Sequence, residues 1–467
     1  MKNTASIPAT DGMIFLPKPG FINRWGAVPF LCWIAVVGMP LQRSLEVSQP
    51  VWMADVYAST LAATSNTSSL QSIPFVLFMA GIYLCAGLLV LGKPKTAFSI
   101  LRRQWPLLLL ILFVVASMLW SPNKEKVLMN VVHNLGGLLV TMAAALRYRA
   151  TPWLLPKHIG YVLGFNIVVH LASILLLPSF AIEWDGRWRG LTGQANELGA
   201  IAFCTFWANA AVLIGTRKDK YHLHLVLAGC AAAAMLGANS MTSIISSICA
   251  LAMIYVVAGT NSRYRIGERL FIGGFGMIVL VAAVGVMFLG NAMDIGKLLG
   301  LAGRSGDFTG RTEIWLEAIK AIVGRPWVGW GFDDNAYLIK TTGMPYTTYH
   351  NGYLDLMARG GIIALGLFFL LLGNWLLQVT NRTRVGSDIV PFAIPFIGSM
   401  LIYNLTEATL VAPRDQMWLI LLVILFLGGC RKSPQMRIAH FRNVRMHPVP
   451  SEATGFESSN YPYPGQL

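Results

Sequence analysis

The stretch TTYHNGYLDLMARGG, residues 347–361, places His350 between Tyr349 and Asn351 immediately ahead of a long apolar run. A histidine accepts and returns a proton near neutral pH, as a general base must. Two other polar stretches carry arginines. FAIEWDGRWRGLTGQANELGA, residues 180–200, holds Arg187 and Arg189, and TGRTEIWLEAIKAIVGRP, residues 309–326, opens with Arg311. A guanidinium grips a diphosphate bidentately, and an arginine beside the free N–H groups of a helix start suits an anionic group. Together these residue types suit transfer from a diphosphate donor to a hydroxyl. A further stretch, NLTEATLVAPRDQ at 404–416, adds the carboxylate of Glu407, which can position an acceptor or pair with an arginine; pairing is the favoured reading.

Each of these residues also has a plainer reading. His350 taken on its own reads better as a structural interfacial histidine, and its place opposite two arginine-bearing loops is what favours chemistry. Trp327, Trp330 and Tyr346 can stack on sugar rings or sit among lipid headgroups, as interfacial aromatics do. Asp333 and Asp334 are adjacent carboxylates, a weak signal for a cation. His133, the other histidine expected on the same side, opens a span with HNLGG and reads as structural.

The elements that must position these groups are apolar. Of the 467 residues, 55% are hydrophobic and 12% charged, with mean hydropathy +0.58. A soluble domain carries roughly twice that charge fraction. The apolar runs predict twelve membrane spans, at 27–41, 73–92, 106–120, 128–146, 158–177, 198–215, 223–237, 242–259, 270–290, 360–379, 390–403 and 416–429. All 36 Lys and Arg residues fall outside these runs. With the N-terminus inside, the inner segments carry 23 basic and 6 acidic residues and the outer loops 13 and 15. That split of +17 against −2 predicts both termini in the cytoplasm. The +15 net charge is therefore an orientation signal and requires no nucleic-acid partner.

The same pattern divides the chain into a cytoplasmic tail (1–26), nine spans (27–290), one long outer loop (291–359), three more spans (360–429) and a disordered cytoplasmic tail (430–467). The first apolar run reads as an anchor rather than a cleavable signal. The six cysteines, five in spans and Cys430 at an inner end, indicate neither a disulfide framework nor a metal cluster. Within the long loop, Ile314, Trp315, Ala318, Ile319, Ile322 and Val323 form one predicted apolar stripe, with Gly324 and Pro326 as stops.

RWRGLTGQANELG, GRTEIWLEAIKAIVGRPWVGWGFDD and YHNGYLDLMARGGIIALGLFFLL resemble the O-antigen ligase and Wzy-type polymerase superfamily, and LIYNLTEATL resembles its exopolysaccharide-polymerase branch. The resemblance runs in order from about 184 to 429. It implies an all-α, GT-C-like glycosyltransferase of the bacterial inner membrane. Such enzymes use oligosaccharides on undecaprenyl diphosphate at the periplasmic face, without cofactor or metal, alongside flippase and chain-length regulator proteins. By this resemblance His350 is the catalytic base, and Arg189, Arg311 and Arg187 hold the donor. Asn351, Tyr349, Glu407, Asn196 and Trp330 serve the acceptor or support the site. Met241 stands where many members carry a basic residue. A polymerase is the first reading, a ligase moving glycan to lipid A core or protein the second, and a flippase without chemistry the third.

The topology has a direct test. A cysteine placed near residue 337 is expected to react with an impermeant thiol reagent applied outside the inner membrane. Labelling from the cytoplasmic side alone would refute the orientation.

Overall fold

A computed structural model describes residues 25–37, 69–215, 221–259, 311–337, 339, 348–381 and 385–431. The described residues are helical, with an isolated antiparallel bridge between Ile182 and Trp188. In chain order the helices are α1 (Val28–Val37), α2 (Ser69–Leu91), α3 (Pro94–Arg103), α4 (Trp105–Ala116), α5 (Lys124–Tyr148), α6 (Leu154–Leu176), α7 (Pro178–Ala181), α8 (Ala195–Gly215), α9 (Tyr221–Gly237), α10 (Met241–Gly259), α11 (Arg311–Gly324), α12 (Gly352–Val379), α13 (Gly386–Tyr403) and α14 (Gln416–Gly429). A short 3₁₀ turn, Ser117–Leu119, extends α4.

Four helices, α5, α6, α8 and α12, are long and apolar enough to cross a membrane. The pair α2–α3 makes a fifth if its bend of 101° lies within one span. Six further expected spans coincide with shorter apolar helices of 10–17 residues, and the one expected at 270–290 lies outside the described residues. The helices also start earlier than hydropathy implies. α12 begins at Gly352, so Asp355 and Arg359 sit inside the same helix as the apolar span expected to start at 360, free of Lys and Arg.

At the centre stands α14, whose residues from Gln416 to Gly429 are all buried. It packs against α3, α5, α12 and α13. An apolar sequence with no polar face is what a helix surrounded by others requires. Its ends are tied down by side chains. Asp415 caps the start, accepting from the N–H groups of Met417 and Trp418 at 2.7 and 3.3 Å. At the other end Arg103 Nη1 donates to the Gly429 carbonyl at 2.5 Å, and Gln104 Nε2 to the Leu425 carbonyl at 2.6 Å. Around this shaft, α6, α8, α9, α10 and α13 pack on one side, and α2, α4, α5 and α12 on the other.

α12 is broken at Gly361, whose φ of +63° suits glycine and few other residues. A helix break leaves backbone groups unpaired, and here the loop after α11 satisfies them. The N–H groups of Ile362 and Ile363 donate to the Pro326 and Trp327 carbonyls at 2.9 and 3.3 Å. In return, the Ala358 and Arg359 carbonyls each accept at 2.9 Å, from Trp330 and Gly331. Just above the break, Arg359 Nη2 meets Asp355 Oδ2 at 2.6 Å and the Leu410 carbonyl at 2.9 Å. Asn335 Nδ2 donates to Asp355 Oδ1 at 2.7 Å. One buried ion pair thus joins α12, the loop at 331–337 and the loop at 404–416.

Removing one partner of such a pair strands the other charge. Arg359→Met is expected to cost about 3–5 kcal/mol, and pairing it with Asp355→Leu to recover part of that loss. Thermal unfolding of the four proteins in detergent checks this; a double variant as damaged as the sum of the singles would refute it.

Candidate functional site

His350 sits two residues ahead of α12, because Asn351 is the helix cap. The Asn351 side-chain oxygen accepts from the N–H groups of Tyr353 and Leu354, both at 3.0 Å, and its amide donates to the Leu405 carbonyl at 2.9 Å. Asn351 is therefore committed to holding the backbone. Capping leaves His350 with φ +50°, a left-handed conformation that non-glycine residues adopt rarely and that gathers at functional sites. Gly352 is required beside it. Its N–H donates to the Asn404 carbonyl at 2.8 Å, and a Cβ there would collide with the Asn404 side chain.

His350 Nδ1 lies 3.3 Å from Glu407 Oε2. The two side chains retain 18% and 12% of their surface, enough for a reactant to reach them. Glu407 Oε1 accepts from Asn196 Nδ2 at 3.0 Å, and Asn196 Oδ1 accepts from Arg187 Nη2 at 2.6 Å. Arg187 continues to the Ala238 carbonyl through Nε at 3.0 Å and faces Glu183 at 3.9 Å. Glu183 in turn accepts from the N–H of Ala195 at 2.7 Å, at the start of α8. Burial pushes the Glu183 carboxyl above the usual carboxylate range, while the Ala195 bond and the positive charge of Arg187 oppose that rise. The stretches at 180–200, 347–361 and 404–416 thus meet in one chain of contacts. A further tie joins Thr242 at the head of α10 to Thr406, their hydroxyls 2.6 Å apart.

The residues singled out in the sequence take distinct places in this arrangement. Glu407 faces His350, and through Asn196 it is linked to Arg187. Arg187 spends its hydrogen bonds on Asn196 and Ala238, so it positions its neighbours rather than offering an open grip. Tyr349 is buried in a cluster with Ile314, Ala318, Ala321 and Ala358, beneath the site rather than in it. The buried stripe of α11 runs through Ile314, Ala318 and Ala321, whereas Ile319 and Val323 are exposed. Trp330 is already occupied. Its ring stacks on Tyr337 with centroids 3.8 Å apart, Arg325 lies over it at 4.2 Å, and its Nε1 donates to the Ala321 carbonyl at 2.8 Å. Trp327 remains exposed, and Tyr346 lies outside the described residues.

Arg189 lies close enough for its charge to act on Glu183, but its own contacts are with Phe180. Its Nε donates to the Phe180 carbonyl at 2.7 Å and its guanidinium lies 4.9 Å from the Phe180 ring, while its buried Nη2 has no hydrogen-bond partner among the described residues. The side chain of Arg311 lies outside the described residues; its backbone opens α11, one turn before Ile314. Asp333 and Asp334 are engaged by protein groups. Asp333 accepts from the Ser121 hydroxyl at 2.6 Å and the Asn123 N–H at 3.1 Å, and Asp334 accepts from Asn130 at 2.9 Å and lies 3.6 Å from Arg414. His133 lies within α5, its Nδ1 2.8 Å from the Tyr83 hydroxyl.

Residues 226–369 match the family model described as O-antigen ligase. The chain is 24% identical over 237 residues to a Pseudomonas aeruginosa protein named O-antigen ligase, covering 49% of this chain and 51% of that protein. It is also 24% identical over 231 residues to the exopolysaccharide production protein ExoQ of Rhizobium meliloti, covering 46% and 52% respectively. The chain spans about half the length of the curated relatives it matches. These likenesses support the O-antigen ligase and Wzy-type superfamily that the motifs resemble, and with the apolar helices they indicate a multi-pass membrane protein.

Because Glu407 touches both His350 and Asn196, substitutions along the chain of contacts are expected to be coupled. Asn196→Ala and Glu407→Gln should be non-additive in thermal unfolding by about 0.5–3 kcal/mol. Strictly additive losses would show that the two side chains act independently.

Proposed function

We propose that this protein is a glycosyltransferase of the inner membrane that joins oligosaccharide units carried on undecaprenyl diphosphate, working at the periplasmic face within a GT-C-like bundle of about twelve spans. The observation that carries the reading is His350 held against Glu407 in a left-handed conformation at the head of α12. His350, oriented by Glu407, takes the proton of an acceptor hydroxyl. The hydroxyl oxygen attacks the anomeric carbon of the donor sugar, the bond from that carbon to the diphosphate breaks, and the configuration inverts. The leaving diphosphate takes up negative charge, which the guanidinium groups of Arg189 and Arg311 meet with positive charge. Arg187 and Asn196 act through Glu407, keeping the carboxylate turned toward the histidine.

The ligase is the second reading, favoured by the name of the family model and of the Pseudomonas aeruginosa relative. Both readings use the same base and the same leaving group and differ in the acceptor. Purified protein supplied with lipid-linked repeat units separates them: a ladder of lengthening products indicates a polymerase, and a single transfer to lipid A core or protein indicates a ligase.

In either assay His350→Ala is expected to lower turnover about 10²- to 10⁴-fold while the donor still binds. His133→Ala should change it little. Arg189→Ala should abolish product, and Arg189→Lys restore it in part, since a point charge lacks the paired hydrogen bonds of a guanidinium. Near-normal turnover by His350→Ala would overturn the assignment.

A further inference from the structure

The bundle has a second concave site at the end opposite His350. α14 and α5 both run the length between them. α14 leads from Asp415 beside the 404–414 loop to Cys430, and α5 from Lys124 near Asp333 to Arg149. At that far end Lys95, Thr96, Ser99 and Arg103, with Arg149 and Arg431, surround a cavity of about 240 Å³. Four of these side chains are basic, and among the described residues no carboxylate lines the cavity. Arg103 is partly committed, donating to the Gly429 carbonyl. No ion pair is recorded among the described residues for Lys95, Arg149 or Arg431. The crowding of like charge is felt next door: burial, and then the charge of Arg149, hold Lys93 below its ordinary value. A bound anion relieves that repulsion.

The surroundings identify what kind of anion. The chain turns by 101° between α2 and α3. α3 buries Ala97 and Ile100, carries Lys95, Arg102 and Arg103, and leaves Phe98 69% exposed. Leu91 at the bend is equally open. A short helix with one buried face, basic side chains and an exposed aromatic is built to lie along a membrane surface. Apolar side chains beside a basic cavity have no use for a free phosphate, whereas an amphiphile engages both. Basic pockets between membrane helices are suited to anionic headgroups.

We propose that this cavity binds the headgroup of an anionic phospholipid. Arg149 and Lys95 meet the phosphate diester, Thr96 and Ser99 supply hydroxyls, and the acyl chains lie along Leu91 and Phe98. The site is separate from the glycosyl-transfer reading and stands whether or not that reading holds. It is tested with the full chain in nanodiscs of zwitterionic lipid, to which cardiolipin or phosphatidylglycerol is added and retained lipid is counted by native mass spectrometry. The wild-type chain is expected to retain anionic lipid in preference to zwitterionic. Lys95→Gln, at an exposed position that does not challenge folding, should weaken retention about fivefold, and Lys95→Gln with Arg149→Gln about 25-fold. Lys126→Gln, at the opposite end of α5, should leave it unchanged. Equal retention by wild-type and doubly substituted protein would overturn the proposal. So would displacement of the lipid by inorganic phosphate at equal concentration, which would make the free anion the ligand.

Discussion

A helix buried on every side must satisfy its end groups without water, and α14 is such a helix. Its apolar residues fit any packed interior, so its position is set by Asp415 at one end and by Arg103 and Gln104 at the other. Those few polar contacts fix the two ends of the bundle. Asp415 ends the loop that carries Glu407, so capping α14 and presenting the carboxylate to His350 are tasks of one short segment. Arg103 and Gln104 close α3 and lead into α4, so the turn at the far end is set by the same requirement. Gln104 also reaches Gln378 of α12 at 3.1 Å, drawing the tail of that helix to the same place.

Around the histidine, polar groups hold the geometry while apolar packing supplies the bulk. Tyr349 is anchored in the small cluster under α11, and Asn351 in the cap of α12, so His350 lies between two fixed neighbours. Its left-handed backbone is the conformational cost of that placement. The Asp355–Arg359 pair one turn further on ties the same helix to both flanking loops. Arg189 is held by Phe180, and its Nη2 has no hydrogen-bond partner among the described residues.

Much of this was legible in the residues themselves. Periodicity and hydropathy marked the apolar helices, since these properties belong to each segment alone. The three polar stretches were recognisable as partners because they fall on one predicted side. What they do to one another was not legible. Whether Glu407 faces an arginine or a histidine depends on the path of a loop, and no local pattern records it. Trp330 illustrates the same limit: an aromatic near glycines reads as a ligand platform until Tyr337 and Arg325 are found against it. The ion pair within α12 did leave a signal, in an Asp and an Arg four residues apart at the edge of an apolar run. The hydropathy boundary at 360 obscured it by assigning both residues to a loop.

The break at Gly361 also bears on how the molecule opens. Backbone hydrogen bonds at 358–363 run to another segment of the chain, so the first turns of α12 are not simply the end of a long rod. They and the loop after α11 share amide partners and protect one another from solvent exchange. Neither can unfold locally without exposing the other, which makes the base of the histidine a cooperative unit drawn from two distant stretches of sequence. The remainder of α12, from Ile362 onward, is free to belong to a different unit, opening with the bundle as a whole.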